Sequence, residues 1–239
     1  AMKRVYLDNN ATTAVDPRVL DAMLPFFRAQ FGNPSSRLHE EGHAAAEAVE
    51  RARAQVAAVI GAEPREIVFT GGATEANNIA LKGVAEAYAD RGSHIITQQT
   101  EHKSVLQPCA WLERRGLRVT YLPVDAFGRV DPQQVADALQ DDTILVSIMH
   151  GNNEIGTLQP VAEIGQLCRA RGVLFHTDCA QTFGRVPLDV NAAAIDLLTC
   201  SAHKKHGPKG IGALYIRRGN ARVRCEPVKP SWSFCSAGR

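Results

Sequence analysis

No apolar run in this 239-residue chain approaches the roughly 20 residues a membrane-spanning helix needs. No leader-like apolar stretch precedes the strand-like segment that ends near Asp8, and Ala1 in front of Met2 reads as a cloning remnant. Cys109, Cys168, Cys179, Cys200, Cys225 and Cys235 form no CxxC pair and no zinc spacing, so free thiols in a reducing, cytoplasmic setting are expected and no metal site is. No acidic or basic block stands out and the net charge is only +2, which gives no argument for nucleic acid or a membrane surface. The GxxxxGK[ST] of a nucleoside triphosphate site and the full GxGxxG of a dinucleotide site are also missing.

What is present is an ordinary globular composition, 45% apolar and 22% charged, in a length that suits one large domain with at most a short appendage. Helical spacing covers residues 18–30 and 41–60, the second with Val49, Ala52, Val56, Val59 and Ile60 on one face and Gly61 as its stop. Strand-like runs at 67–69, 94–96, 119–122, 143–149 and 173–177 then alternate with helical patterns at 74–89, 103–115, 132–139 and 160–171. Two further strands are expected at 195–199 and 211–216. The alternation predicts an α/β fold of three layers, a mainly parallel sheet with helices on both faces. Between Ser201 and Ile211 there is no room for a crossover helix, so the last strand is expected to be antiparallel.

In such a sheet the strand C-termini share one edge, where ligands bind. The residues expected there are polar: Thr70-Gly71-Gly72-Ala73-Thr74-Glu75, Glu101-His102, Asn152-Asn153-Glu154, Asp178 with Gln181, and Ser201, His203 and Lys204. Gly71 to Thr74 reads either as an anion cradle at a helix N-terminus or as a plain capped turn. Asp178 closes an apolar strand, where a carboxylate needs a partner: Lys204, a protonated ring nitrogen of a ligand, a structural ion pair, or the backbone of a turn. His102 is a first-turn histidine that could equally stack on a ring and move a proton. Asn153 and Gln181 are neutral hydrogen-bonders suited to turns and helix starts. The stretch 200–210 is a basic turn, or the place where a lysine forms an imine with a carbonyl. Pyridoxal phosphate would use all of these at once: a lysine, an acid for its ring nitrogen, an anion pocket and a surface for the ring.

The motifs YLDNNATT (6–13), FGNPSS (31–36), EIVFTGGATEANN (66–78), TEH (100–102), NNEIG (152–156), FHTDCAQ (175–181) and SAHKKHGPKGIGALY (201–215) resemble those of the NifS-type cysteine desulfurases. These form part of the class V aminotransferase superfamily with the type I pyridoxal-phosphate fold. The resemblance spans about residues 4–218. It implies Lys204 as the Schiff-base lysine and His102 as the stacking, acid–base histidine. It further implies Asp178 on the pyridine nitrogen and Gln181 on the phenolic oxygen. Ala73, Thr74, Ser201 and His203 would hold the phosphate, with Asn153 near cofactor and substrate carboxylate. The implied reaction takes sulfur from L-cysteine, releases alanine and leaves a persulfide for iron–sulfur cluster or thio-cofactor assembly, in a homodimer working with a sulfur-acceptor or scaffold protein.

Ala202 and Cys179 depart from the family pattern, which has Gly and an alanine-like residue there. From about Asn220 the sequence diverges, and Cys225 and Cys235 lie in no catalytic-loop context. The resulting division is an N-terminal segment 1–15, a cofactor-binding large domain 16–218 and an irregular tail 219–239, with the family's small domain absent. Cofactor binding with weak or absent desulfuration is the expectation. A selenocysteine lyase or related β-eliminating enzyme, and an inactive fragment acting through dimerisation, are the alternatives.

Overall fold

The computed structural model describes residues 5–219 and 223–226. The tail expected at 219–239 therefore lies outside the described residues except for Gly219 and residues 223–226. Two helices open the chain, α1 (Pro17–Arg28) and α2 (Glu40–Val59). Strands β1 (Ile67–Thr70), β2 (His94–Gln98), β3 (Arg118–Leu122), β4 (Thr143–Ser147), β5 (Leu174–Asp178), β6 (Leu197–Ser201) and β7 (Gly212–Ile216) follow. They alternate up to β5 with α3 (Ala73–Ala87), α4 (Lys103–Glu113), α5 (Pro132–Ala138) and α6 (Val161–Ala170). The sequence boundaries shift by only a few residues.

The strands form one seven-stranded sheet in the order β1-β7-β6-β5-β4-β2-β3. β7 runs against both neighbours, with Ser201 opposite Gly212 and Ile67 opposite Tyr215, while β2 to β6 pair in parallel. The expected architecture is the observed one. Neighbouring side chains on each strand point to opposite faces. Ile96, Val146, Phe175, Leu198 and Tyr215 meet Ile60 of the α2 end, Val135 of α5 and Ile164 of α6. Ile95, Leu145, Leu197 and Leu214 meet Ile79 and Val84 of α3 and Val105 and Leu112 of α4. Burial on both faces explains why these strands read as continuous apolar runs rather than as alternating ones.

Two features depart from the pattern. β5 and β6 are parallel neighbours, yet residues 179–196 join them by successive turns instead of a helix. In α2 the expected stripe holds only in part: Ile60 is buried and Val56 packs against the core, but Val59 is exposed, while Ala45, Arg53 and Ala57 are buried. Arg53 is tolerated there because its guanidinium donates to the Ile67 carbonyl and lies 5.1 Å from the centre of the Phe69 ring.

Among the described residues, no helix is long and apolar enough to cross a membrane and no cluster of metal-ligating side chains occurs. Cys109, Cys168, Cys179, Cys200 and Cys225 are free thiols, and Cys235 lies outside the described residues.

Candidate active site

The C-terminal ends of β1, β2, β4, β5 and β6 open on a cavity of about 1100 Å³. Ala73, Thr74, His102, Asn153, Asp178, Gln181, Ser201, His203 and Lys204 all line it. They arrive on five separate stretches of chain, one at or after the end of each of these strands, so the convergence of the five follows from the topology.

Gly72 ends the turn between β1 and α3 at φ 145°, a backbone region open in practice to glycine alone. It offers α3 no side-chain cap, and a Cβ placed on it would meet nothing within 4 Å. The first-turn N–H groups of α3 therefore face the cavity at the positive end of the helix dipole. Gly212 matters for the same turn: a Cβ there would come within 2.8 Å of the Gly72 backbone.

Asp178 is the last residue of β5 and 4% exposed. Its partners are not those expected of a buried ion pair: Asn77 Nδ2 donates to Oδ2 at 2.7 Å and the Ala180 N–H donates to Oδ1 at 2.8 Å. Asp178 instead acts on Lys204 through its charge. Burial pushes the Lys204 amine below its ordinary value, and the charges of Asp178 and Glu154 oppose that fall.

Lys205 has an amine brought down further, to about 8, chiefly by burial and then by Arg185 and Lys204. Its Nζ donates to the Gln181 carbonyl, so it braces the turn after β5 and does not line the cavity. The structure thus gives two adjacent lysines different surroundings.

His102 caps α4: the Ser104 N–H donates to its Nδ1 at 3.1 Å. Both bland and functional readings of this histidine describe the same placement, since the ring also borders the cavity. His203 is held by Thr12, its Nδ1 3.1 Å from Oγ1, and burial with the nearby Lys204 and Lys209 lowers its tendency to protonate.

The N-terminal segment completes the rim. Thr13 N–H donates to His203 O at 2.8 Å, Asp16 N–H to His206 O at 2.9 Å, and Gln181 Nε2 to Asn10 O at 2.9 Å. Asp8 and Asn10 line the cavity as well, as do Ser104, Glu154 and Lys209, none of which the sequence singled out for a role. Asn77 was also missed, although an asparagine on the Ala76, Ile79, Ala80 face of a helix is itself a signal of a buried polar partner. Cys179, next to Asp178, is 1% exposed and packs in the core, where burial raises its thiol far above the ordinary range. Glu101 is buried too, but it accepts the Met149 N–H and does not line the cavity.

The chain is 60% identical over 225 residues to a mitochondrial cysteine desulfurase of Drosophila melanogaster, covering 94% of this chain and 48% of that protein. It is 54% identical to the cysteine desulfurase IscS of Rickettsia africae, covering 94% of this chain and 54% of that one. Among solved structures, one of SspA in complex with cysteine superposes with a TM-score of 0.90 at 44% identity, over 94% of this chain and 64% of that chain. A NifS-like protein does so with the same score and identity over 95% and 62%. The chain thus spans about half the length of the curated relatives it matches. The match to aminotransferase class-V covers residues 5–234, past the limit of 218 suggested by the motifs, and the chain belongs to that family.

Proposed function

We propose that this chain is the pyridoxal-phosphate-binding part of a cysteine desulfurase. The observation that carries the reading is one cavity lined by a buried carboxylate, an amine depressed by burial, an imidazole and an uncapped helix N-terminus. These residues fit the cofactor. The open space over Gly72, ringed by Ala73, Thr74, Ser201 and His203, would take the phosphate. Asp178 would hold a protonated ring nitrogen, Gln181 the phenolic oxygen, and His102 one ring face. Lys204 would anchor the group covalently, with Asn153 beside the substrate's carboxylate. When bound, pyridoxal phosphate supplies the electron sink for bond changes at a substrate's α-carbon.

The protein's own contribution is placement. Burial favours the neutral, nucleophilic form of the Lys204 amine, and His102 and Lys204 border the same space as acid–base groups. L-cysteine as substrate rests on the names of the relatives and on the cysteine-bound SspA structure. Transfer of the sulfur to iron–sulfur assembly partners, homodimerisation and a cytoplasmic location are part of the same proposal.

The test is an absorbance titration with pyridoxal phosphate, then borohydride reduction and peptide mapping. A reduced adduct on Lys204 is expected. Labelling of Lys205 instead, or no adduct at all, overturns the reading.

A further inference from the structure

Asn77 and Ser104 link two members of the site that no residue of the proposed chemistry connects. Asn77 is fully buried on α3, and its amide nitrogen lies 2.7 Å from Asp178 Oδ2 and 2.8 Å from Ser104 Oγ. An amide has two N–H hydrogens, and here each meets an acceptor. The reverse orientation would set Oδ1 against the carboxylate oxygen, so the donor side must face Asp178. Ser104 is buried and its Oγ already receives a hydrogen bond from Asn77. Its own hydrogen is free for His102 Nδ1, 2.8 Å away. The Ser104 N–H aims at the same Nδ1 from 3.1 Å. A proton on Nδ1 would confront that backbone donor with another donor. Both Ser104 hydrogens instead require a lone pair there.

We infer that Ser104, anchored through Asn77 on the Asp178 carboxylate, is a positioning residue that fixes the His102 ring in one orientation and in its Nε2–H tautomer. The inference deepens the proposed reading of the site, on which its functional meaning rests. With Nδ1 engaged by Ser104, Nε2 is the ring nitrogen left for the cavity. In its neutral form His102 then offers the cavity a hydrogen-bond donor and no acceptor, and it can take up a proton only at Nδ1, at the expense of the bonds from Ser104. The direction is fixed by residues that need not touch substrate.

The test is nitrogen NMR of the full chain labelled with 15N-histidine, without cofactor, at about pH 8.5, some two units above the ordinary imidazole value. His102→Gln identifies the signal. The wild-type ring is expected to carry its proton on Nε2. Ser104→Ala should shift the tautomer ratio toward Nδ1–H by about fivefold, the equivalent of one net hydrogen bond of ~1 kcal/mol. Ser104→Thr should restore it, and Asn77→Ala should shift it in the same direction as Ser104→Ala. If Asn77→Ala does not fold, the wild-type and Ser104 spectra decide. Protonation of Nδ1 in the wild-type chain, or a ratio unmoved in Ser104→Ala, overturns the inference. Because no cofactor is present, a chain with the expected tautomers but no borohydride label would keep the inference and defeat the proposed function.

Discussion

At the scale of single residues, neighbours of like chemistry are given unlike tasks. Lys204 and Lys205 are both depressed by burial, yet only Lys204 lines the cavity. The bracing role of Lys205 has a pH signature. Its folded-state value of about 8 lies below its ordinary 10.5. Between those values the unfolded chain holds a proton that the folded chain has released, so this group's contribution makes stability rise with pH from about 8 upward. Below about 8 both states hold the proton and the difference is constant. Lys205→Met should lower the pH slope of stability, read from urea midpoints at about pH 8 and 10, the window set by that depression. An unchanged slope would refute the assignment. The candidate residues themselves were legible because polar side chains stood at the ends of apolar strands. Their partners were not. Nothing in the order of residues shows that Asp178 is satisfied by Asn77, on a helix 101 positions earlier.

At the scale of elements, helices announced themselves by period, strands by short apolar runs, and the direction of β7 by the absence of room for a helix before it. The β5–β6 connection was harder to anticipate, since its turns are held by contacts distant in sequence. Gly165 shows how tightly those turns are fitted: a Cβ there would lie 2.0 Å from the Ala193 carbonyl oxygen and 3.2 Å from Phe175 Cδ1. Gly165 is thus the point at which α6 meets the β5–β6 connection. Gly165→Ala should destabilise the protein by about 1–3 kcal/mol, the usual range for an overpacked interior. An unaltered denaturation midpoint would show that the connection yields at no cost. On α2 the expected stripe missed Arg53, a buried arginine satisfied by Ile67 and Phe69 at a place that periodicity reserves for an apolar side chain.

At the scale of the whole molecule, histidines are built into the sheet and its edge as neutral hydrogen-bonders. His176 lies between Ser147 and Thr199, 2.8 Å from each hydroxyl, and burial lowers it from 6.5 to about 3. His94, bridging Thr143 and Thr120, and His150, against Thr182, are lowered for the same first reason. The unfolded chain takes up protons near the ordinary value while the folded one refuses them, so stability falls as pH drops below 6.5. Each such histidine contributes up to about 1.4 kcal/mol per pH unit in that window. Urea midpoints should decline between about pH 7 and 5, above the range where most carboxylates titrate. A flat profile there would contradict the buried, neutral assignment.

The antiparallel β7 also dictates a schedule. Among the described residues it is the one strand paired with β1, and it closes the return that holds Lys204, so Ile67 must await Tyr215 and Ser201 must await Gly212. While the chain is still being translated, the β1 backbone has no partner, and the lysine turn has no strand to close against. Emergence from the ribosome of a five-residue segment, Gly212–Ile216, is therefore the event that joins β1 to the five parallel strands and completes the rim of the candidate site.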